Sequence, residues 1–278
     1  MNKVQKFPLS SLYMFTGKGG VGKTEVSRLF YKKIKKENPN RKVYLIQVDT
    51  SSDFDAKNNR SFEKQKNDQE IITLHLKECA TEYMARKIHS KRIASWISST
   101  NFYKTIVSML PGLNYLIYFG KILKIIDEEE AIIILDSPSS GHLLAMFQSL
   151  DNFKKIFKVG PIYNDICLML EILNQENYLK LAIVSQLEEI ILNETIELQY
   201  NLSEYIKVDK ILYFINGLYS QIPNLNKSDL PNYLVEKISS EENLLNQMKE
   251  NKIFKNNILP IPYITELEDY QLGEFNAL

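Results

Sequence analysis

Cysteine is scarce in this 278-residue chain: Cys79 and Cys167 are the only two, and they lie far apart. They form no C-x-x-C pair, which excludes a zinc ribbon and a thiol redox motif. They read as two reduced, packed thiols of a reducing, cytoplasmic compartment. Net charge is absent as well. Lys plus Arg number 34 and Asp plus Glu also number 34, so the overall balance gives no reason to expect nucleic acid or an acidic surface as partner. The basic run Lys32-Lys33-Ile34-Lys35-Lys36 reads as the solvated end of a helix, where cations suit the dipole. No apolar stretch approaches the length of a membrane span, so no integral membrane segment is expected. Internal repeats are lacking too, and there is one glycine loop.

What is present is the profile of an ordinary globular chain, with 44% hydrophobic and 24% charged residues. At this length it buries one large core, or one core with an inserted lobe. Short runs rich in Ile and Val at 12–15, 43–48, 131–135, 179–184, 211–215 and 258–259 are continuously apolar. That is the pattern of a parallel sheet covered on both faces. Helical patterns between them imply right-handed crossovers. The expected fold is α/β, doubly wound, with a mostly parallel sheet in a single domain. The first run, after Lys3 and Lys6, leads straight into the glycine loop and reads as a strand, not as a signal peptide.

Two stretches, about 77–128 and 143–178, exceed what one crossover needs and read as mostly helical. The first contains Tyr83, Met84, Ile88, Ile93, Trp96 and Ile97, with a break at Pro111-Gly112. Together they suggest a helical lobe on one side of the sheet. Met84, Met109, Met146 and Met169, with the apolar run at 166–170, are expected in its core. The competing reading is a groove for apolar client segments. Segments 56–70 and 224–228, rich in Asn and Lys, read as exposed loops.

The loop Gly17-Lys18-Gly19-Gly20-Val21-Gly22-Lys23-Thr24 meets G-x-x-x-x-G-K-[ST], after a strand and before a helix. Its glycines let backbone N–H groups cradle phosphate oxygens, and the helix N-terminus adds partial positive charge. Lys23 would reach the β- and γ-phosphates of ATP, and the Thr24 hydroxyl would ligate Mg²⁺. Gly17, Gly19 and Gly22 also satisfy G-x-G-x-x-G, with Asp49 as a ribose-binding acid. Lys23-Thr24 argues against that dinucleotide reading, because a Rossmann loop has no use for a lysine and hydroxyl there.

Asp49 and Asp136 end the second and third strand candidates, where an open parallel sheet lines its ligand crevice. Each could serve a Mg²⁺ shell or an attacking water, or cap the next helix. The strongly apolar strand before Asp136 favours the first role for it, and for Asp49 both roles stay open. Gly141 and His142 follow in a segment able to sense the γ-phosphate.

Lys18, beside the first glycine, makes this loop resemble the deviant Walker A loop of the MinD/ParA/ArsA superfamily. Within it, the chain resembles the ArsA-type anion-transporting ATPases and their relatives that target tail-anchored membrane proteins. Val48-Asp49 stands where that family has its switch I Asp. Asp136-Ser137-Pro138-Ser139-Ser140-Gly141-His142 is similar to its switch II pattern, Asp-x-Pro-x-x-Gly-His. Pro111-Gly112 and Gly160-Pro161 match positions in its helical lobe, and Glu194-Thr195 matches the segment after the strand at 179–184. Asn216 stands where the superfamily places an adenine-contacting Asn, and Pro260-Ile261-Pro262 resembles the late loop near the base.

The resemblance implies a dimeric switch ATPase that couples nucleotide state to a protein client. Its partner would be a second copy or an ArsA-like paralogue. Residues 19–25, with Asn216, Pro260 and Pro262, would bind the nucleotide. Lys18 would reach across the dimer to the partner's phosphates, and Asp49 would position the water. Asp136 would serve the Mg²⁺ shell, and His142 would belong to the sensor. The chain departs from the family where Glu25 replaces a small residue after Thr24, since a carboxylate there repels an α-phosphate unless it turns away. No proline follows Asp49. Two scattered cysteines supply neither an arsenite site nor a zinc seam. Two other readings remain: a weakly hydrolysing partner subunit beside a paralogue, which Glu25 favours, and a ParA- or MinD-like spatial organiser. The acidic tail from Glu266 to Glu274 speaks against the latter, because it repels both DNA and membranes.

Overall fold

The structure is a computed structural model that describes residues 9–48, 71–90, 112–137, 140–222, 230–250 and 257–263, with isolated positions between them. The elements run β1 (Leu12–Thr16), α1 (Lys23–Glu37), β2 (Val43–Val48), β3 (Ile71–Leu74), α2 (Leu76–Ile88), α3 (Leu113–Glu129) and β4 (Ile132–Asp136). They continue with α4 (Ser140–Ile156), α5 (Pro161–Asn174), β5 (Leu179–Ser185), α6 (Glu189–Ser203), β6 (Ile211–Leu218), α7 (Asn232–Glu250) and β7 (Ile258–Pro262). Short 3₁₀ turns at Val208–Lys210 and Tyr219–Gln221 flank β6.

Seven strands form one sheet in the order β3-β2-β4-β1-β5-β6-β7, and every pairing is parallel. Six of the strands are those expected from sequence. The seventh, β3, is a four-residue edge strand beside the Asn- and Lys-rich stretch, too short a run to stand out as periodic.

Alternation along the strands divides the core in two. Leu12, Met14, Ile133, Leu135, Leu181, Ile183 and Tyr213 face one side and pack with helices α2 to α6 and the end of α7. Tyr13, Phe15, Ile132, Ile134, Ala182, Val184 and Phe214 face the other side, where α1 contributes Val26, Leu29, Phe30, Tyr31 and Ile34. There the Phe30 ring lies edge-on to Tyr13 at 4.8 Å and to Phe214 at 5.7 Å. The basic run ends α1 as expected, but Lys33 is buried along its stem and reaches Glu37 at 3.6 Å. It is therefore not part of a solvated patch.

Within the described residues the two stretches contain α2 and α3 in the first and α4 and α5 in the second; Ile93, Trp96 and Ile97, like the segment 56–70, lie outside the described residues. α2 packs on α3, α3 on α4 and α5, and α4 on α5. Met146 and Met169 are buried, and Met84 packs against the same core. This is the core reading of the methionines; Met109 lies outside the described residues. Lys210 is buried and donates from Nζ to the carbonyls of Leu173 and Gln175, at 2.9 and 2.7 Å. It thereby satisfies carbonyls that the end of α5 leaves free. Cys79 is buried, which pushes its thiol up to about 12.

The strand order places a switch point between β1 and β5. From β1 the chain turns to the β2 side through α1, and from β5 it turns to the β6 side through α6. A crevice at the carboxyl ends of these strands is where such sheets hold their ligands.

Candidate functional site

The register brings the polar residues together at that edge. Phe15 pairs with Asp136, Gln47 with Asp136, Thr16 with Ile183 and Ser185 with Ile215. The glycine loop, the end of β4 and the Ser185 and Asn216 positions therefore share one rim.

The loop's shape depends on glycine at two positions. Gly17 has φ +145°, and a Cβ there would run into the carbonyl oxygen of Val184 on β5. Gly22 has φ +88°, and a Cβ there would run into the side-chain amide of Asn216 on β6. Asn216 Nδ2 also donates to the Val21 carbonyl at 3.0 Å. α1 begins at once, with Val26 N–H donating to the Gly22 carbonyl, so the loop feeds its free N–H groups into the helix N-terminus.

Thr24 Oγ1 donates to Asp136 Oδ2 at 2.8 Å, and Gln47 Nε2 donates to the same oxygen at 3.2 Å. Asp136 is 9% exposed. Lys23 Nζ donates to the Lys18 carbonyl at 2.8 Å, which sets its ammonium across the loop. Burial lowers its pKa from the ordinary lysine value, and the Asp136 charge works in the opposite direction. Lys18 points elsewhere: its Nζ meets Glu194 Oε1 of α6 at 2.7 Å, across the β1/β5 crevice, with both side chains partly exposed.

Beside the loop, Glu25, Asn216, Gly217, Glu188, Lys237, Glu241 and Tyr263 line a pocket of about 340 Å³ together with Tyr219. Tyr219 and Tyr263 stack at 4.7 Å, nearly parallel at 11°. Lys237 Nζ sits 4.7 Å from the Tyr219 ring centre.

The structure thus gathers Gly19, Gly20, Val21, Gly22, Lys23, Thr24, Asp136 and Asn216 at one rim. Gly141 and His142 are exposed in the first turn of α4, where the His142 ring meets Tyr115 of α3 edge-on at 6.2 Å. Asp49 lies outside the described residues, as do Pro111, Pro138 and Ser139. Pro260 and Pro262 are buried within β7, and it is the next residue, Tyr263, that lines the pocket. Sequence reasoning missed Gln47, Tyr219, Lys237, Glu241 and Tyr263. Gln47 gave a usable signal, as the one amide inside the apolar run Val43–Val48.

A parallel doubly wound sheet with a glycine loop wrapped between its first strand and first helix defines the P-loop NTPase class. More specifically, the family described as anion-transporting ATPase (ArsA) matches residues 10–170, more than half of the chain, and the chain belongs to that family. A search of the curated proteins returned no match.

Proposed function

We propose that this chain binds and hydrolyses Mg²⁺-ATP as a dimeric switch that couples its nucleotide state to a protein partner. The observation that carries the reading is the part-buried Thr24–Asp136 contact, held by Gln47, beside a loop that lays Lys23 across its mouth. A hydroxyl and a carboxylate oxygen are the donors Mg²⁺ takes. Among the described residues no group of three or more His, Cys, Asp or Glu side chains could hold a metal. Thr24 and Asp136 would supply two protein oxygens, and substrate phosphates the others. Mg²⁺ held there would neutralise charge on the β- and γ-oxygens.

The chain's own parts have distinct tasks. Loop N–H groups and Lys23 hold the phosphates. Asp136 fixes the Thr24 hydroxyl, Asp49 orients the water, and Gly141 with His142 reports the γ-phosphate to α4. The nucleoside enters the pocket beside Asn216, near the end of β7 where Pro260 and Pro262 lie. Lys18 leaves Glu194 to reach the phosphates of a second copy or a paralogue. Helices α2–α5 form the lobe of this single domain that faces the partner. No described helix is long and apolar enough to cross a membrane, and two unpaired thiols suit the cytoplasm.

Calorimetric titration tests the reading. Mg²⁺-ATP binds the native chain, and Lys23→Ala weakens it at least about a hundredfold, as expected for losing a charged contact in a sheltered site. Equal affinity in the two proteins rules out the loop as the site.

A further inference from the structure

Glu25 follows the loop's hydroxyl residue, at the start of α1, where a carboxylate aimed at an α-phosphate would be repelled. Its side chain turns aside. Oε1 lies 3.9 Å from Nη1 of Arg28, one turn along the helix, too far for a hydrogen bond. Oε2 itself is shielded from solvent and has no hydrogen-bond partner, while the side chain as a whole is 47% exposed, and the residue lines the 340 Å³ pocket together with Asn216. A buried carboxylate oxygen without a donor is costly, and in folded proteins such atoms are rarely left unpaired.

The charge of the pocket narrows what supplies that donor. Among the described residues lining the pocket, Glu25, Glu188 and Glu241 stand with one ammonium, that of Lys237. Glu241 is already occupied, since its Oε2 accepts from the Ser220 N–H at 2.9 Å. An acid-lined pocket repels phosphate, whereas the loop beside it offers a helix N-terminus and Lys23. A bound nucleotide is therefore oriented with its phosphates on the loop and its uncharged nucleoside in the pocket. There the stacked Tyr219 and Tyr263 offer an aromatic wall.

We propose that Glu25 is a specificity-determining residue of this site, its Oε2 accepting a hydrogen bond from a donor group on the nucleoside, either a ribose hydroxyl or an exocyclic amine. The proposal rests on the nucleotide-binding reading above and adds the group that is recognised. Glu25 acts here as a fixed acceptor. A ligand without the donor leaves this shielded oxygen without a hydrogen bond, which is the source of discrimination.

The full chain is titrated by calorimetry with the Mg²⁺ complexes of ATP, 2′-deoxy-ATP, 3′-deoxy-ATP and purine riboside triphosphate, which lacks the amine. Inorganic tripolyphosphate is titrated in parallel. One of the three analogues is expected to bind about tenfold more weakly than ATP, and its identity names the donor. In Glu25→Ala the ratio between ATP and that analogue falls to about one. In the isosteric Glu25→Gln, whose acceptor is neutral, the ratio falls between those limits. No discrimination by the native chain, or discrimination that survives in Glu25→Ala, overturns the proposal and leaves the ATPase reading standing. A tenfold gain in tripolyphosphate affinity in Glu25→Ala also overturns it, because it would place the carboxylate against the phosphates. If neither ATP nor tripolyphosphate binds the native chain, the ATPase reading fails and takes this proposal with it.

Discussion

On the proposed reading the candidate site has a phosphate end and a nucleoside end, and the two are built in opposite ways. At the phosphate end, one continuous segment, residues 17–24, supplies nearly every group, and Asp136 and Gln47 support it from the adjoining strands. At the nucleoside end, the pocket draws on α1, the start of α6, β6, α7 and Tyr263 after β7. The first is a motif and the second an assembly. Glycines that only a loop of this shape needs lie at fixed spacing, whereas Tyr219 and Tyr263 meet only because β6 and β7 are neighbours in the sheet. The charge differs too: Lys18 and Lys23 are balanced by Glu194 and Asp136 at the loop, whereas Glu25, Glu188 and Glu241 outnumber Lys237 among the described residues lining the pocket.

The largest test of this contrast falls on the phosphate end. Asp136→Asn keeps the side chain's shape but removes the charge that accepts from Thr24 and Gln47. Turnover with Mg²⁺ is expected to fall by about a hundredfold, the upper range for groups that orient a metal's ligands. Nucleotide binding without Mg²⁺ stays within a few fold. Steady-state kinetics and metal-free titration check this, and an undiminished rate would separate Asp136 from the metal.

Asn216→Ala probes the junction of the two ends. It removes the hydrogen bond to Val21 and opens space beside Gly22, at a cost of about 1 kcal/mol in denaturant unfolding. ATP affinity falls about tenfold, because the loop loses its support and the base loses a neighbour. A loss of stability with unaltered affinity would detach the pocket from the nucleotide.

The smallest effect concerns Lys18. Partly exposed ion pairs are worth well under about 1 kcal/mol. Freeing Lys18 by Glu194→Ala should therefore strengthen ATP-driven association by roughly two- to fivefold. Lys18→Ala should weaken that association and slow turnover while leaving ATP binding by the monomer largely intact. Light scattering with ATP, ADP and no nucleotide reads both, and a mass that never changes would remove the trans role of Lys18.

The phosphate end was readable from sequence because its chemistry is local. G-x-x-x-x-G-K-[ST] fixes backbone and side chain together, and Asp136 stood out at the end of an all-apolar strand. Six of the seven strands were readable for the same reason, as short and mainly apolar runs. β3 was missed because Ile71–Leu74 is only four residues long. The nucleoside pocket was nearly invisible. Asn216 entered through family resemblance, and Pro260 and Pro262 are buried in β7, one residue short of the pocket-lining Tyr263. Tyr219, Lys237, Glu241 and Tyr263 carry no pattern of their own. The intramolecular partner of Lys18 was equally hidden, since the crevice that joins loop and α6 exists only after the sheet has formed.

The contacts around the loop also bear on when, during assembly, the site comes into being. Gly17 abuts Val184 of β5, Thr24 bonds to β4, and Val21 and Gly22 lean on Asn216 of β6. A chain emerging from its N-terminus makes the loop's sequence first but completes its surroundings only when residue 216 has docked. A chain truncated before β6 contains the whole motif yet lacks the surroundings that give it shape, so on the proposed reading nucleotide affinity would report that the fold is complete.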